Sequence, residues 1–303
     1  MKIPGSSTLS DILPHAQKHG YGVAAFSARY LACIRPVMEA AQELQSPVIV
    51  EISQRELGWF QLTPMQFRNE LAKVVRELNV TVPFCLHLDH SWELNVIQDA
   101  IDAGFNSVMI DASSRPFTEN VALTRIVVDM AHRAGVSVEA ELGKLTTTDK
   151  MESENDEEMY TDPEEAQHFV ELTGCDALAV SIGTAHGVYP VKNPKIDFDR
   201  LRAIRQRVGD LPIVLHGGSG LPPETVHTAM QIPEGGTTKM NIATDLEVAL
   251  LAAMGGLERM TSAELDALDP ELRAKGRQAV KDTAIDKIRN FVRSENRAWE
   301  NTH

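Results

Sequence analysis

The chain has 303 residues, with 43 acidic side chains against 29 basic ones and a net charge of −14. That length supports a large core, and the acid excess argues against a nucleic acid or an anionic membrane surface as partner. No apolar run nears the roughly 20 residues needed to span a bilayer, and the N-terminus lacks the apolar stretch of a signal peptide. The expected setting is the cytoplasm.

Eight short runs rich in Val, Ile and Leu recur along the chain, at 23–26, 48–53, 84–89, 107–111, 136–142, 177–183, 213–217 and 239–244. They read as strands buried on both faces, and each gap holds one crossover helix. After the second run, Thr63-Pro64-Met65-Gln66 has a capping Thr, a Pro at the first helical position and Gln at the third. The fifth run is followed by a long acidic segment, 146–165. From Asp149 to Glu165 it carries nine acids and one lysine, a net −8, so much of the excess charge is local. It reads as a solvated loop. Asp162-Pro163-Glu164-Glu165 then starts a helix that Gly174 stops, and Thr244-Asp245-Leu246-Glu247 reads as a further capping box. Beyond the eighth unit, 270–291 reads as one amphipathic helix, available to pack on a subunit partner.

Strict strand–helix alternation with eight strands predicts an α/β fold of the (β/α)8 TIM barrel type with an extra C-terminal helix. One barrel domain over 1–303 is expected, with 270–303 as a C-terminal helical extension. A doubly wound open sheet is the rival, but no Gly-x-Gly-x-x-Gly follows the first run. Cys33, Cys85 and Cys175 are too few for a disulfide framework and fit no zinc-ribbon spacing; Cys85 and Cys175 read as core.

Active sites of such barrels sit at the C-terminal strand ends. The third run ends in His87-Leu88-Asp89-His90, and the fifth contains Glu139 and Glu141. The sixth leads into Gly183-Thr184-Ala185-His186-Gly187, and the seventh into His216-Gly217-Gly218-Ser219-Gly220. The eighth ends in Asn241-Ile242-Ala243-Thr244-Asp245. His90, His186 and His216 therefore stand at three strand ends, and three imidazoles make a catalytic zinc shell with a position left for substrate. His87 is expected on the opposite side of the sheet from His90, as a structural or supporting residue. Asp89 either orients a ligand or exchanges a proton with a substrate hydroxyl. Gly217-Gly218-Ser219-Gly220 can present backbone N–H groups to an anion, and 241–244 leads into a helix N-terminus that favours a phosphate.

Taken in order, these stretches resemble class II, metal-dependent fructose-bisphosphate and tagatose-bisphosphate aldolases. They are Gly22-Val23-Ala24-Ala25-Phe26, the segment from Ser46-Pro47-Val48 through Ser53, and His87-Leu88-Asp89-His90. Met109-Ile110-Asp111-Ala112-Ser113 follows with Glu119-Asn120, then Val138-Glu139-Ala140-Glu141-Leu142-Gly143. Ile182-Gly183-Thr184-Ala185-His186-Gly187, the segment from Leu215-His216 to Pro222, and the segment from Lys239 to Asp245 complete the set.

The resemblance implies an aldolase that cleaves or forms a phosphorylated ketose, with dihydroxyacetone phosphate as donor product. His90, His186 and His216 match its zinc ligands, Asp89 the residue exchanging a proton with the C4 hydroxyl, and Glu141 an acid near the metal. Gly187, Gly217, Ser219, Asn241 and Thr244 match the phosphate cradle, and Ser53 a position near a second phosphate. The family also allows a monovalent cation near the phosphate, and its members are homodimers or homotetramers. The sequence departs from the family after the fifth strand, where the Gly pair is absent and the base for the enediolate carbon falls among Asp149, Glu152, Glu154, Glu157 and Glu158. The first strand ends in Phe26-Ser27 rather than Phe-Asn. Arg55 and Arg115 stand in strand-end loops as candidates for a second anion. A zinc-dependent sugar-phosphate epimerase or hydrolase, and a phosphometabolite-binding protein without turnover, are the alternatives on the same barrel.

Overall fold

Each of the eight apolar runs becomes a strand, and the strands close on themselves. The computed structural model describes residues 2–143, 146–147, 160–186 and 195–298. In chain order the elements are α1 (Leu9–His19), β1 (Val23–Ser27), α2 (Leu31–Glu43), β2 (Val48–Ser53), α3 (Gln54–Trp59) and α4 (Pro64–Leu78). Then come β3 (Phe84–Ser91), α5 (Leu94–Ala103), β4 (Ser107–Ile110), α6 (Phe117–Arg133), β5 (Ser137–Leu142), β6 (Thr146–Thr147), α7 (Pro163–Thr173) and β7 (Ala177–Val180). The rest are β8 (Ala185–His186), α8 (Phe198–Val208), β9 (Ile213–Leu215), α9 (Pro223–Met230), β10 (Thr237–Ile242), α10 (Thr244–Ala253), α11 (Ser262–Asp266) and α12 (Pro270–Asp286). The closed barrel runs β1, β10, β9, β7, β5, β4, β3, β2 and back to β1, all pairs parallel. This is the expected (β/α)8 TIM barrel. The short strands β6 and β8 pair with each other outside it. Among the described residues no helix is long and apolar enough to cross a membrane.

Side chains two apart on a strand share a face, so each strand delivers its interior residues in layers. Val23, Ala25, Ile49, Cys85, Ala177, Ala179 and Val214 form one buried apolar cluster with Leu9, Ile12, Leu13 and Ala16 of α1. The helical spacing of those four residues gives α1 a single apolar stripe, which plugs the N-terminal end of the barrel. Thr8 and Asp11 form its capping box, and Ser137 Oγ accepts the Leu9 N–H at 3.0 Å. All three cysteines are free and buried, and burial pushes the Cys33 and Cys175 thiols up to about 12.

The helix-start reading holds at Thr63, whose capping box with Gln66 is present, and at Asp162, which accepts from the backbone N–H of Glu164 and Glu165. Gly174 closes that helix in the left-handed conformation. It fails at Thr244. There α10 has Ala243 at its N-cap and no side-chain cap of its own. The predicted partner Glu247 is drawn away into ion pairs with Arg29 and Arg259.

The predicted C-terminal helix is α12, continued by a π-helical turn at Lys287–Phe291. It packs on α2 and α10 of its own barrel. Gly276 permits the approach, since a Cβ there would lie 2.9 Å from both Leu250 Cδ1 and Met254 Cγ. Gly22 N–H, just ahead of β1, donates to Val292 O at 2.9 Å, tying the end of this helix to the first strand.

Candidate active site

One layer above the apolar plug, the barrel interior turns from apolar to charged. Glu51 follows Ile49 on β2, His87 and Asp89 follow Cys85 on β3, Glu139 and Glu141 follow Ser137 on β5, and Lys239 and Asn241 follow Thr237 on β10. His216 comes two residues after Val214 at the end of β9. All but Asn241 are at most 4% exposed, and Asn241 is 6%. The strand registers Glu51↔His87 and Ser53↔Asp89 set neighbouring members level with each other.

His216 lies between two carboxylates. Its Nε2 donates to Glu139 Oε1 at 2.8 Å and its Nδ1 to Glu141 Oε2 at 3.1 Å. Its ring meets that of His90 edge-on, with centroids 4.5 Å apart. His90 Nδ1 donates to Asp111 Oδ2 at 2.9 Å, and Asp111 is held in turn by the backbone N–H and hydroxyl of Ser113. The β3–β4 register shifts between Leu88 and Ser91. This irregularity breaks the alternation of the strand, so His90 turns to the same side as Asp89. The expected opposition of His87 and His90 is therefore overturned. His87 is fully buried inside the barrel, bonded to Ser107 Oγ at 2.9 Å, with its Nε2 3.6 Å from Glu139 Oε2.

Lys239 is the fixed cation of the cluster. Its Nζ lies 2.9 Å from Glu139 Oε2, 3.2 Å from Glu51 Oε2 and 3.8 Å from Asp89 Oδ1. Asn241 Nδ2 donates to the same Asp89 oxygen at 3.0 Å, and Ser27 Oγ donates to Glu51 Oε1 at 3.2 Å.

The titration of these groups follows from burial set against neighbouring charge. Burial alone would raise the Asp89 carboxyl, but the charges of His90 and Lys239 outweigh it and hold the group well below the usual range. Glu139, likewise buried, is brought down to about 2 by Lys239 and the His216 hydrogen bond. Glu51 goes the other way, to about 8, through burial and then repulsion from Asp89. Glu141 is raised by burial and by Asp111. Burial and the nearby His90 oppose charge on His216, yet its bonds to Glu139 and Glu141 lift it to about 9. His87 is depressed to about 3 by burial and then by Lys239.

The donor set suits a divalent metal. One ligand atom from each of Asp89, His90 and His216 lies within 4.8 Å of the others, and the same holds for His90, Asp111 and Glu141. Imidazole nitrogens with carboxylate oxygens are ligands that zinc accepts. The third predicted ligand, His186, is placed only through its backbone, where β8 pairs His186 with Thr147 of β6. Gly187 and the loop acids Asp149, Glu152, Glu154, Glu157 and Glu158 lie outside the described residues.

Beside the histidines, the loop after β9 is pressed against its neighbours. Gly217 has φ +70°, and a Cβ on it would fall 2.4 Å from Ala185 O; one on Gly218 would fall 2.7 Å from Asn241 O. Only glycine fits such backbone approaches. Ser219 then reaches the start of α10, where its Oγ accepts the N–H of Ala243 at 3.2 Å and of Asp245 at 3.3 Å. The cap that Thr244 does not supply thus comes from the preceding loop, and Gly217, Ser219, Asn241 and Thr244 share one corner of the mouth.

Toward β1 and β2, Ser53 caps α3 in a box with Glu56. Arg55 is exposed, its guanidinium 5.8 Å from the Trp59 ring centroid, and Arg115 is exposed in the loop before α6. Beside the α3 cap lies an arginine that the sequence reading did not single out. Arg29 donates to Glu56 Oε1 at 2.6 Å and pairs also with Glu247, which Arg259 holds from the other side. Lys239 and Glu51 were missed as site residues as well, because each sits inside a strand run, and Glu139 was noted there without a role. Their signal was an ionisable residue within a run buried on both faces.

The sequence matches the family model described as fructose-bisphosphate aldolase class-II over residues 7–297. Among solved structures, the YdjI aldolase of Escherichia coli K12 is 33% identical with a TM-score of 0.81, covering 97% of this chain and 99% of that one. A putative fructose-1,6-biphosphate aldolase from Coccidioides immitis is 26% identical with a TM-score of 0.80, covering 95% and 96%. The fold is shared at 23% identity and a TM-score of 0.74 with a fructose-bisphosphate aldolase from Campylobacter jejuni, over 96% and 97% of the two chains.

Proposed function

The chain belongs to the class II fructose-bisphosphate aldolase family, and from that premise we propose how its barrel mouth cleaves and forms a phosphorylated ketose with dihydroxyacetone phosphate as donor product. As a member it is a metal-dependent aldolase, a carbon–carbon lyase. The observation that carries the reading is the meeting of Asp89, His90 and His216 within ligand distance of one another, beside the Ser219-capped start of α10.

His90, His216 and His186 would hold a zinc ion, with Asp111 and Glu139 orienting the first two through their ring nitrogens. When bound, the ion supplies Lewis acidity to the ketone and hydroxyl oxygens of the substrate. Asp89 takes the proton of the C4 hydroxyl as the carbon–carbon bond breaks, and returns it in the condensation direction. His90 and Lys239 keep that carboxylate ionised, and Asn241 fixes its orientation. Glu141, adjoining both histidine rings, is the acid nearest the metal position. The phosphate docks on Gly187, Gly217, Ser219, Asn241 and Thr244, where the α10 N-terminus and the glycine backbone favour an anion. That anchoring presents the reacting carbons to Asp89. Ser53, Arg55 and Arg115 are the candidates to meet a second anionic end of the substrate. A monovalent cation near the phosphate, assembly into a homodimer or homotetramer, and a cytoplasmic setting in keeping with three free buried cysteines belong to the same proposal.

The test is a metal analysis of the purified protein joined to a coupled assay for triose phosphate release across a panel of ketose phosphates. The expected result is one bound zinc and activity that chelation abolishes and zinc restores. His216→Ala should lose both. Full activity after chelation, or after His216→Ala, sinks the zinc mechanism. Absence of triose phosphate from every ketose sinks the substrate assignment.

A further inference from the structure

Lys239 stands a layer below the mouth, on the interior of β10, and no part of it is exposed. A fully buried ammonium is expensive unless its charge and its donors are matched. Its partners are Glu139, Glu51 and Asp89, and two of these lead to the chemistry. Glu139 takes Lys239 on Oε2 at 2.9 Å and His216 Nε2–H on Oε1 at 2.8 Å. Asp89 lies beside Lys239 on one side and is held by Asn241 on the other.

We propose that Lys239 is a positioning residue for the metal centre: by clamping Oε2 of Glu139 it aims Oε1 at His216 Nε2, so the ring keeps its proton there and presents Nδ1 to the metal. The direction follows from the layers. Glu139 lies two residues below Glu141 on β5, so Nε2 of His216 points into the barrel and Nδ1, beside Glu141, points to the mouth. Without Lys239 the carboxylate has a competing partner, His87 Nε2, only 3.6 Å from its Oε2. A turn of Glu139 toward His87 would take Oε1 off His216 and release the ring from its tautomer. The sequence separations, 100 residues between Glu139 and Lys239 and 77 between Glu139 and His216, show why no local motif announces the chain of contacts.

The inference rests on the metal-dependent reading above and is tested by metal affinity rather than turnover. Lys239→Met keeps the length of the side chain and removes its charge. Zinc dissociation constants from chelator competition should rise about 10–100-fold in Lys239→Met, the usual effect of losing an outer partner of a metal-bound histidine. Glu139→Gln should show a loss of the same order. In ¹⁵N-histidine-labelled zinc protein, the His216 Nε2–H signature should be present in the parent and absent or exchanging with the other tautomer in Lys239→Met. Ile49→Ala, in the apolar layer below, serves as a destabilised control and should bind zinc within about twofold of the parent. Zinc affinity unchanged in Lys239→Met overturns the proposal, as does an equal loss in Ile49→Ala. Should Lys239→Met fail to fold, Glu139→Gln decides alone, and parental affinity there overturns it. A parent protein that binds no zinc would instead defeat the metal reading on which the inference stands.

Discussion

Two layers of the barrel interior, both fed by β2, β3 and β9 through residues two apart, have opposite chemistry. In the lower layer Val23, Ala25, Ile49, Cys85, Ala177, Ala179 and Val214 meet α1 in a dry apolar plug. In the upper layer Glu51, His87, Asp89, Glu139, Glu141, His216 and Lys239 form a connected set of buried charges. One step of the pleat, roughly 7 Å along a strand, separates packing from catalysis. The lower layer stabilises by apolar burial, about 1.5–3 kcal/mol for each large side chain. The upper layer holds ionisable groups that only mutual contacts make tolerable, since a buried pair broken on one side leaves an uncompensated charge. The division lets one rigid scaffold hold a strained electrostatic site.

The contrast is most sharply broken by Asp89→Asn, which should lower kcat by about 10²–10⁴-fold and also lower thermal stability, since it leaves Lys239 one buried carboxylate short. A steady-state assay on metal-loaded protein checks it; turnover within a few-fold of the parent would remove Asp89 from proton transfer. In the other layer, Ile49→Ala should cost about 2–5 kcal/mol in denaturant unfolding, with kcat near the parental value at 25 °C. A loss of kcat without a loss of stability there would mean the layers are not separable.

Acid titration sharpens the comparison further. His87 is held near 3 in the folded protein against an ordinary value of 6.5. As pH falls through 6.5 the unfolded chain takes up a proton that the native one refuses until about 3, so stability drops with falling pH across that window. The contribution is at most about 1.4 kcal/mol per pH unit. Replacement by Gln should flatten the dependence of metal-free protein in that range, measured as denaturation midpoint against pH; an unchanged slope would assign the dependence elsewhere. The smallest effect separates two hydroxyls at the start of α10. Ser219→Ala should cost about 1 kcal/mol through the lost cap and raise the KM for the phosphorylated substrate. Thr244→Ala should cost no more than about 0.5 kcal/mol. A reversal of that order would restore Thr244 as the cap.

Much of this was readable along the chain. Thr63, Asp162 and Gly174 act within one helical turn of themselves, so local pattern suffices for them. The nearness of His90, His216 and Asp89 was readable because barrel strands end on one face, and a polar residue after an apolar run therefore faces the mouth. Thr244 misled because the helix starts one residue earlier, at an Ala243 N-cap where Ser219, 25 residues before Thr244, accepts the N–H of Ala243 and Asp245, and because Arg29 and Arg259 claim Glu247. His87 misled because alternation presumes a regular strand, and the register shift after Leu88 turns His90 around.

By itself, then, the sequence determined the barrel and the helix starts at Thr63 and Asp162, because periodicity and capping depend on neighbours within a few residues. Only the tertiary structure decided that Lys239, Glu139 and His216 form one chain of contacts, that Ser219 caps α10 and that α12 lies on its own barrel. Those outcomes depend on barrel closure and register, which bring together side chains that the linear order keeps apart.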